Sequence, residues 1–455
     1  MIAIAPSGSI HFVGIGGAGM SALAETLALS GCRVTGSDRQ RSAQTSRLES
    51  LGIAVQCGHG PRLVKQASML VYSSAVKSDN PERIWASHHA IAEMRRAEFL
   101  GELTKSHFTL AVAGTHGKTT TSSLMGKILL DARKDPTIIV GGIPRYLGTN
   151  ARVGSGPFMV VEADEFDRSF LALSPAAAII TNIEAEHLDC YRNAGEIETA
   201  FAAFANKVPF YGTVAACIDD HGVERILREI SGSVVTYGTS RHAHYRAVGI
   251  EPHAASTRFA VTRGTKKLGE ITLSIPGMHN VRNAMGAIAL STELGIGFAS
   301  LRKSCREFNG VQRRFEILGK SNGIAVINDY AHHPSEISAT LAAARGCGFR
   351  RIIAVFQPHL YTRTRDFAAG FARSLQAADT AIVTAIYGSR EKAIPGVSAH
   401  SIVEKMKNGK ASFVENKKDI AALLAGTVRK GDAVVFMGAG DITDVAVDYW
   451  KKVRQ

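Results

Sequence analysis

Residues 108–120, FTLAVAGTHGKTT, run from an apolar stretch through Gly114-Thr115-His116-Gly117-Lys118-Thr119-Thr120 into the helical pattern SSLMGKILL. Strand, glycine turn and helix in that order make a phosphate cradle. The glycines let the chain turn so that backbone N–H groups point inward, and the helix that follows adds its positive end. Lys118 supplies the mobile cation that follows a moving phosphoryl group, and Thr119 offers a hydroxyl to Mg²⁺. Only Thr115 and His116 stand between the glycines, so the loop is shorter than the general P-loop pattern.

Upstream, SIHFVGIGGAGM (9–20) sends an apolar strand into Gly14, Gly16, Gly17, Ala18 and Gly19, followed by a helix and a second strand, CRVTGS, ending at Asp38. That is the dinucleotide fingerprint in its proper setting, with an acid about twenty residues on to meet a ribose hydroxyl. It predicts a nucleotide diphosphate site and leaves the nucleotide open. Downstream, FMVVEAD (158–164) and AAAIITNI (176–183) are nearly continuously apolar, as parallel strands buried on both faces should be. Ligands in open α/β sheets sit outside the carboxyl ends of the strands, so the polar clusters after both runs should converge on residues 114–120. Short runs at VVTYG, FAVTRG and ITLSI suggest an antiparallel addition. From about residue 318 the pattern restarts: GIAVIND, RRIIAVF, DTAIVTAIY and DAVVFMG alternate with helices and predict another doubly wound unit.

The chain of 455 residues is therefore expected to be α/β with three domains, at 1–106, 107–317 and 318–455. A net charge of +13 favours anionic ligands. No Lys/Arg block with interleaved aromatics occurs, which points to a solvated basic face rather than a nucleic-acid surface. The six cysteines show no close pairing, so neither a zinc knuckle nor a CxxC redox site is indicated. With neither a leader nor an apolar run long enough to cross a bilayer, a soluble cytoplasmic protein is expected.

Glu162 ends a strand aimed at the Lys118 loop and suits Mg²⁺ beside ATP phosphates. His187 can ligate a second metal ion, or be an ordinary loop histidine. His279, Asn280 and Asn283 open a helix, where amides either read adenine edges or cap. His332, His333, His359, Tyr361 and Arg363 follow two strands of the last segment, with Arg363 a clamp for a carboxylate or phosphoryl group.

The strings HFVGIGGAGMSALAE, GTHGKTTT, GTNARVGSG, VEADEFDRSF, TNIEAEHLD, MHNVRNA, NDYAHHPSEI, FQPHLYTRTRD and MGAGDI, in that order, resemble the Mur ligase family, in its alanine-adding branch, over essentially the whole chain. The resemblance implies a Rossmann-like N-terminal domain for a UDP-sugar, a central P-loop ATPase-type domain, and a Rossmann-like C-terminal domain for the incoming amino acid. It implies an ATP-dependent ligase joining L-alanine to the lactyl carboxylate of UDP-N-acetylmuramate through an acyl phosphate, with Mg²⁺, or Mn²⁺ in its place. A recycling-type ligase that attaches a preformed peptide is the alternative; neither nucleic acid nor membrane is implied as a partner, and the chain is a monomer or a homodimer.

By the same resemblance, Gly114 to Thr120, His279, Asn280, Asn283 and Arg314 bind ATP. The UDP-sugar falls to Gly14, Gly16, Gly17, Ala18, Gly19, Met20, Ser21, Asp38, Ser73, Asn150 and Arg152. Thr119, Glu162 and His187 hold metal, and Tyr330, His332, His359 and Arg363 take the amino acid, with Lys118, His332 and Arg363 catalytic. Sibling ligases carry a carbamylated lysine shortly after the His-x-Asp stretch; this chain has no lysine between Lys134 and Lys207, as in the alanine-adding branch. Two positions depart from the family pattern. Leu360 stands where arginine is common, which weakens a double-arginine grip on alanine, and Glu186 stands where aspartate is common.

Overall fold

A computed structural model describes residues 8–186, 190–389, 391–406 and 409–454, so His187 lies outside the described residues. The chain packs as two compact units, residues 1–248 with 260–271 and 282–305, and residues 249–259 with 272–281 and 306–455.

The first unit opens with a wholly parallel five-stranded sheet of β1 (Ser9–Val13), β2 (Val34–Asp38), β3 (Ala54–Cys57), β4 (Ala67–Tyr72) and β5 (Ala92–Arg95), in the order β3-β2-β1-β4-β5. The chain reverses its direction of winding between β1 and β4, so the crevice outside their carboxyl ends is the expected ligand position. The glycine loop leaves β1 there, and the helix Ala18–Leu29 starts from it.

A buried polar network stiffens this sheet. His11 on β1 bonds through Nδ1 to the Thr35 hydroxyl at 2.8 Å, and its Nε2 lies 3.4 Å from Glu82. The same carboxylate accepts from Ser37 at 2.5 Å and lies 3.1 Å from His59 Nδ1. Burial raises the Glu82 carboxyl, but His11, Ser37 and His59 outweigh it and hold the group below its ordinary value.

The next sheet begins with β6 (Phe108–Ala113), β7 (Thr137–Ile139), β8 (Ala151–Arg152), β9 (Phe158–Ala163), β10 (Ala177–Ile180), β11 (Thr213–Cys217) and β12 (Ser233–Gly238), in the order β12-β11-β10-β6-β9-β7-β8. Leu110, Ala111, Val112 and Ala113 are fully buried, which is why the strand reads as an unbroken apolar run. One expectation needs correcting. The VVTYG run belongs to β12, which pairs parallel with β11 and with β13 (Tyr245–His253) rather than antiparallel. β14 (Ser256–Arg263) and β15 (Lys266–Leu273) complete the ten-stranded order. β12 is exposed at its start and buried over its last three residues, and a short run of this kind does not record the direction of its neighbours.

In the second unit, six strands lie in the order β16-β17-β21-β18-β19-β20: β16 (Glu316–Ser321), β17 (Ile324–Asp329), β18 (Arg351–Phe356), β19 (Thr380–Thr384), β20 (Ala411–Val414) and β21 (Asp432–Met437). Only β16 is antiparallel to its neighbour. Alternate residues serve opposite faces: Ile327, Ala354 and Phe356 join one core, Val326, Ile353 and Val355 the other. Helices cover both faces, which explains the apolar runs seen in the sequence.

Glu82→Ala removes the carboxylate that faces His11, Ser37 and the half-buried His59 while leaving the sheet's apolar packing intact. The variant is expected to lose about 3 kcal/mol of stability. Urea unfolding followed by circular dichroism checks this; a loss no greater than that of a surface substitution would refute the role given to the network.

Candidate active site

The phosphate loop leaves β6 between the ends of its two neighbours, β9 and β10. Gly114 has φ +144° and Gly117 has φ +81°, conformations that side chains rarely take. Residues just past β10 clamp the loop. Asn182 accepts from Thr115 N through its backbone carbonyl (3.0 Å) and from His116 N through Oδ1 (2.7 Å), and its Nδ2 donates to the His116 carbonyl at 3.0 Å. The Thr181 hydroxyl donates to the same carbonyl at 2.6 Å, and Glu184 N donates to the Thr115 hydroxyl at 2.9 Å. A Cβ at Gly114 would sit 1.9 Å from Thr181 Oγ1, and one at Gly117 would sit 2.3 Å from Asn283 Oδ1. Asn283 is thus brought against the loop, as an ATP-site residue would need to be.

Lys118 opens the helix Lys118–Asp131 and folds back over the loop. Its Nζ donates to the Gly114 carbonyl (2.6 Å), the Thr115 carbonyl (3.2 Å) and Glu165 Oε2 (2.6 Å). Burial lowers the ammonium's pKa, but Glu165, Asp164 and Glu186 outweigh it and the net shift is upward. Burial also pushes Glu165 up, to about 7, with Lys118 opposing. The 2.6 Å contact and the raised ammonium pKa favour the ionised pair, against the burial that raises Glu165.

Glu162 lies within β9, one residue before its end. Its Oε2 accepts from the Thr119 hydroxyl at 3.1 Å; its Oε1 accepts from Gly141 N at 2.6 Å and from Ser122 at 3.4 Å. A carboxylate and a hydroxyl side by side at a phosphate loop are hard oxygen donors, the set that a Mg²⁺-type cation takes. The Thr119 and Glu162 expectations fit such an ion on this chemistry.

In the N-terminal sheet, Gly16 N donates to Asp38 Oδ2 at 2.8 Å, so one carboxylate oxygen already braces the glycine loop. Ser73 meets Gly14: its N donates to the Val13 carbonyl at 3.3 Å, and its Cβ lies 3.5 Å from where a Gly14 side chain would start. Asn150 Nδ2 donates to the Ala18 carbonyl at 2.9 Å, while Thr149 donates to Glu25 at 3.2 Å. Both join the β7–β8 connection to the helix that follows the glycine loop. Met20 and Ser21 are buried in its first turn. Arg152 turns elsewhere, to Asp135 and the Pro136 carbonyl.

In the second unit, the carboxyl ends of β17, β18 and β21 gather the amino-acid candidates. The His332 ring lies 5.3 Å from Tyr330 and 6.0 Å from His359, and Arg363 Nη1 lies 3.1 Å from His359 Nδ1. Arg314 covers Tyr330 at 5.0 Å and lies 3.4 Å from Glu336. His333 caps the helix Pro334–Gly346. Leu360 sits at φ +70° ahead of the helix Tyr361–Leu375, its N–H donating to the Tyr387 carbonyl at 3.0 Å. Asn280 Nδ2 donates to the Pro276 carbonyl at 2.7 Å, and His279 lies beside Gly277.

Several residues escaped the sequence reading. Thr181 and Asn182 directly follow a buried strand, a signal that was available. Glu165 sits in the EADE box but carried no separate signal. Arg96 lies beside Gly19, where a Cβ would sit 2.9 Å from its Nη1, and Tyr387 stacks on His359 at 5.9 Å. Arg313 donates to the carbonyls of Gly438 and Gly440 at 3.0 Å. Their partners are distant in sequence.

Family models match the chain in three segments: "Mur ligase family, catalytic domain" at residues 9–108, "Mur ligase middle domain" at 112–291, and "Mur ligase, glutamate ligase domain" at 313–440. A UDP-N-acetylmuramate–L-alanine ligase of Geotalea daltonii is 44% identical over 449 residues, 98% of each chain. One from Salinibacter ruber is 46% identical over 438 residues, 95% of this chain and 92% of its own. Among solved structures, a UDP-N-acetylmuramate-alanine ligase of Thermotoga maritima superposes with a TM-score of 0.84 at 32% identity, covering 98% of this chain and 99% of its own. A murein peptide ligase of Psychrobacter arcticus shares the fold at a TM-score of 0.73 and 24% identity, over 99% of each chain.

Gly114→Ala places a methyl group inside the Thr181 contact and is expected to weaken ADP binding at least about 100-fold while leaving the circular dichroism spectrum unchanged. Calorimetric titration with Mg·ADP measures this, and wild-type affinity would refute the loop geometry.

Proposed function

The chain belongs to the Mur ligase family, and from that premise we propose that it joins L-alanine to the lactyl carboxylate of UDP-N-acetylmuramate, cleaving ATP to ADP and phosphate, in peptidoglycan precursor synthesis. The observation that carries this reading is the meeting of the loop lysine, Lys118, with the oxygen pair of Thr119 and Glu162 at the carboxyl edge of one parallel sheet. The near-full-length likeness to alanine-adding relatives selects this branch over the peptide-attaching one.

In the first step a lactyl oxygen attacks the γ-phosphorus, the bond to the β-phosphate oxygen breaks, and ADP leaves from an acyl phosphate. Two anions must approach one another. The Lys118 ammonium at the loop offsets that repulsion once it turns from Glu165 to the phosphates. Thr119 and Glu162 are the residues that would hold Mg²⁺, which when bound adds positive charge to the phosphates; Gly141 N and Ser122 keep the Glu162 carboxylate in position. His187 is proposed as a further metal ligand by family likeness, with Mn²⁺ as the alternative ion.

In the second step the amine of L-alanine attacks the acyl carbon, the bond to the phosphate oxygen breaks, and phosphate departs as the amine gives up a proton. Arg363, held beside His359, offers a cation for alanine's carboxylate or the departing phosphate, and Tyr330 and His332 line the same strand ends. We assign adenine-side contacts to His279, Asn280 and Asn283, and a further ATP contact to Arg314. The UDP-sugar is assigned to Gly14 through Ser21, Asp38, Ser73, Asn150 and Arg152. The corresponding domains are residues 1–106 for the UDP-sugar, 107–317 for ATP and 318–455 for the amino acid. We assign the reaction to the cytoplasm, where ATP and UDP-sugars are found; no helix among the described residues is long and apolar enough to cross a membrane.

Phosphate release from ATP in the presence of UDP-N-acetylmuramate is expected to require L-alanine and to yield the UDP-sugar heavier by one alanine residue by mass spectrometry. Turnover only with a preformed peptide would move the chain to the recycling branch. Lys118→Ala is expected to lower kcat about 1000-fold without changing UDP-sugar affinity, because the charge it removes acts on the phosphates. Wild-type turnover in that variant would overturn the role given to Lys118.

A further inference from the structure

An ammonium has three protons to donate, and in this structure all three of Lys118's are directed to acceptors. Two of those acceptors, the carbonyls of Gly114 and Thr115, belong to the loop and can stay where they are when a polyphosphate enters. The third, Glu165, is a carboxylate. It takes the one direction left for a phosphate oxygen, and it does so inside the protein: the side chains of Glu165 and Lys118 are 3% and 15% exposed. The backbone at Glu165 is tied down, since the buried Tyr191 hydroxyl donates to its carbonyl at 2.7 Å. Glu162, three residues earlier on β9, is occupied with Thr119, Ser122 and Gly141, so the two carboxylates have separate tasks.

We propose that Glu165 is a positioning residue that competes with the nucleotide's phosphate for Lys118: it holds the ammonium over the loop, yields it to ATP, and reclaims it as ADP and phosphate leave. This rests on the ligase reading above and adds to it a residue that governs nucleotide exchange. The physical reason is competition. A buried carboxylate stripped of its cation is costly, so every bound nucleotide works against the recovery of the Lys118–Glu165 pair. Affinity for ADP is lowered and its departure hastened, which matters in an enzyme whose turnover needs product release.

Glu165→Gln keeps the shape and an accepting oxygen but removes the competing charge. The variant is expected to bind Mg·ADP about ten-fold tighter than wild type, with a lower KM for ATP and a lower kcat as release slows. A merely structural role predicts the opposite pattern, with weaker ADP binding, a raised KM and a lower melting temperature moving together. Glu165→Asp retains the charge one methylene further back and is expected to fall between wild type and Glu165→Gln in ADP affinity; it carries the test if Glu165→Gln does not fold. Calorimetric titration of the full-length protein with Mg·ADP, beside steady-state kinetics in ATP and thermal melts, reads all of these. ADP affinity that is unchanged or weaker in the folded variants overturns the proposal and leaves the ligase reading standing. Failure of wild type to bind Mg·ADP overturns both.

Discussion

A phosphate-binding loop must hold one backbone course and keep its lysine at the strand ends, and here the ends of the strands flanking β6 meet that constraint. Asn182 grips the loop from three directions, through its own carbonyl, its side-chain oxygen and its side-chain nitrogen. Those bonds take up the N–H groups of Thr115 and His116 and so fix the course of the loop into the helix that starts at Lys118. The strand order β10-β6-β9 is what delivers Asn182 on one side and Glu162 on the other.

From Glu162 the constraint spreads to the N-terminal sheet. Gly141 N holds the carboxylate, and a few residues later Thr149 and Asn150 reach Glu25 and the carbonyl of Ala18. One connection between β7 and β8 therefore touches both the carboxylate beside the phosphate loop and the helix that rises from the glycine loop. Polar contacts of this kind add little net stability, but each holds a donor and an acceptor at one separation and angle, and so they fix geometry. The His11–Glu82–Ser37 network does the same for the sheet that carries the glycine loop.

Much of this was legible along the chain. Parallel strands covered on both faces must be apolar throughout, so β6, β9, β10 and β17 announce themselves. Glycine loops need positive φ where only glycine is cheap, so Gly114 and Gly117 do as well. Lys118, Thr119 and Glu162 could be named because strand-end position alone says where they point. The direction of β12 could not be read, since a short strand exposed at its start and buried at its end carries no local mark of whether its neighbours run parallel or antiparallel.

What the sequence determined by itself was the set of local conformations and the identity of the reacting groups: three glycine-interrupted or strand-ending segments, their cations and carboxylates, and the family those strings belong to. What only the tertiary structure decided was which partners these groups hold. Asn182 and Glu165 come to the loop from 66 and 47 residues away, and no local propensity encodes that distance. It is set by strand order, which sums many weak burial terms over the whole sheet. A hydrogen bond, by contrast, is satisfied or broken within a few tenths of an ångström.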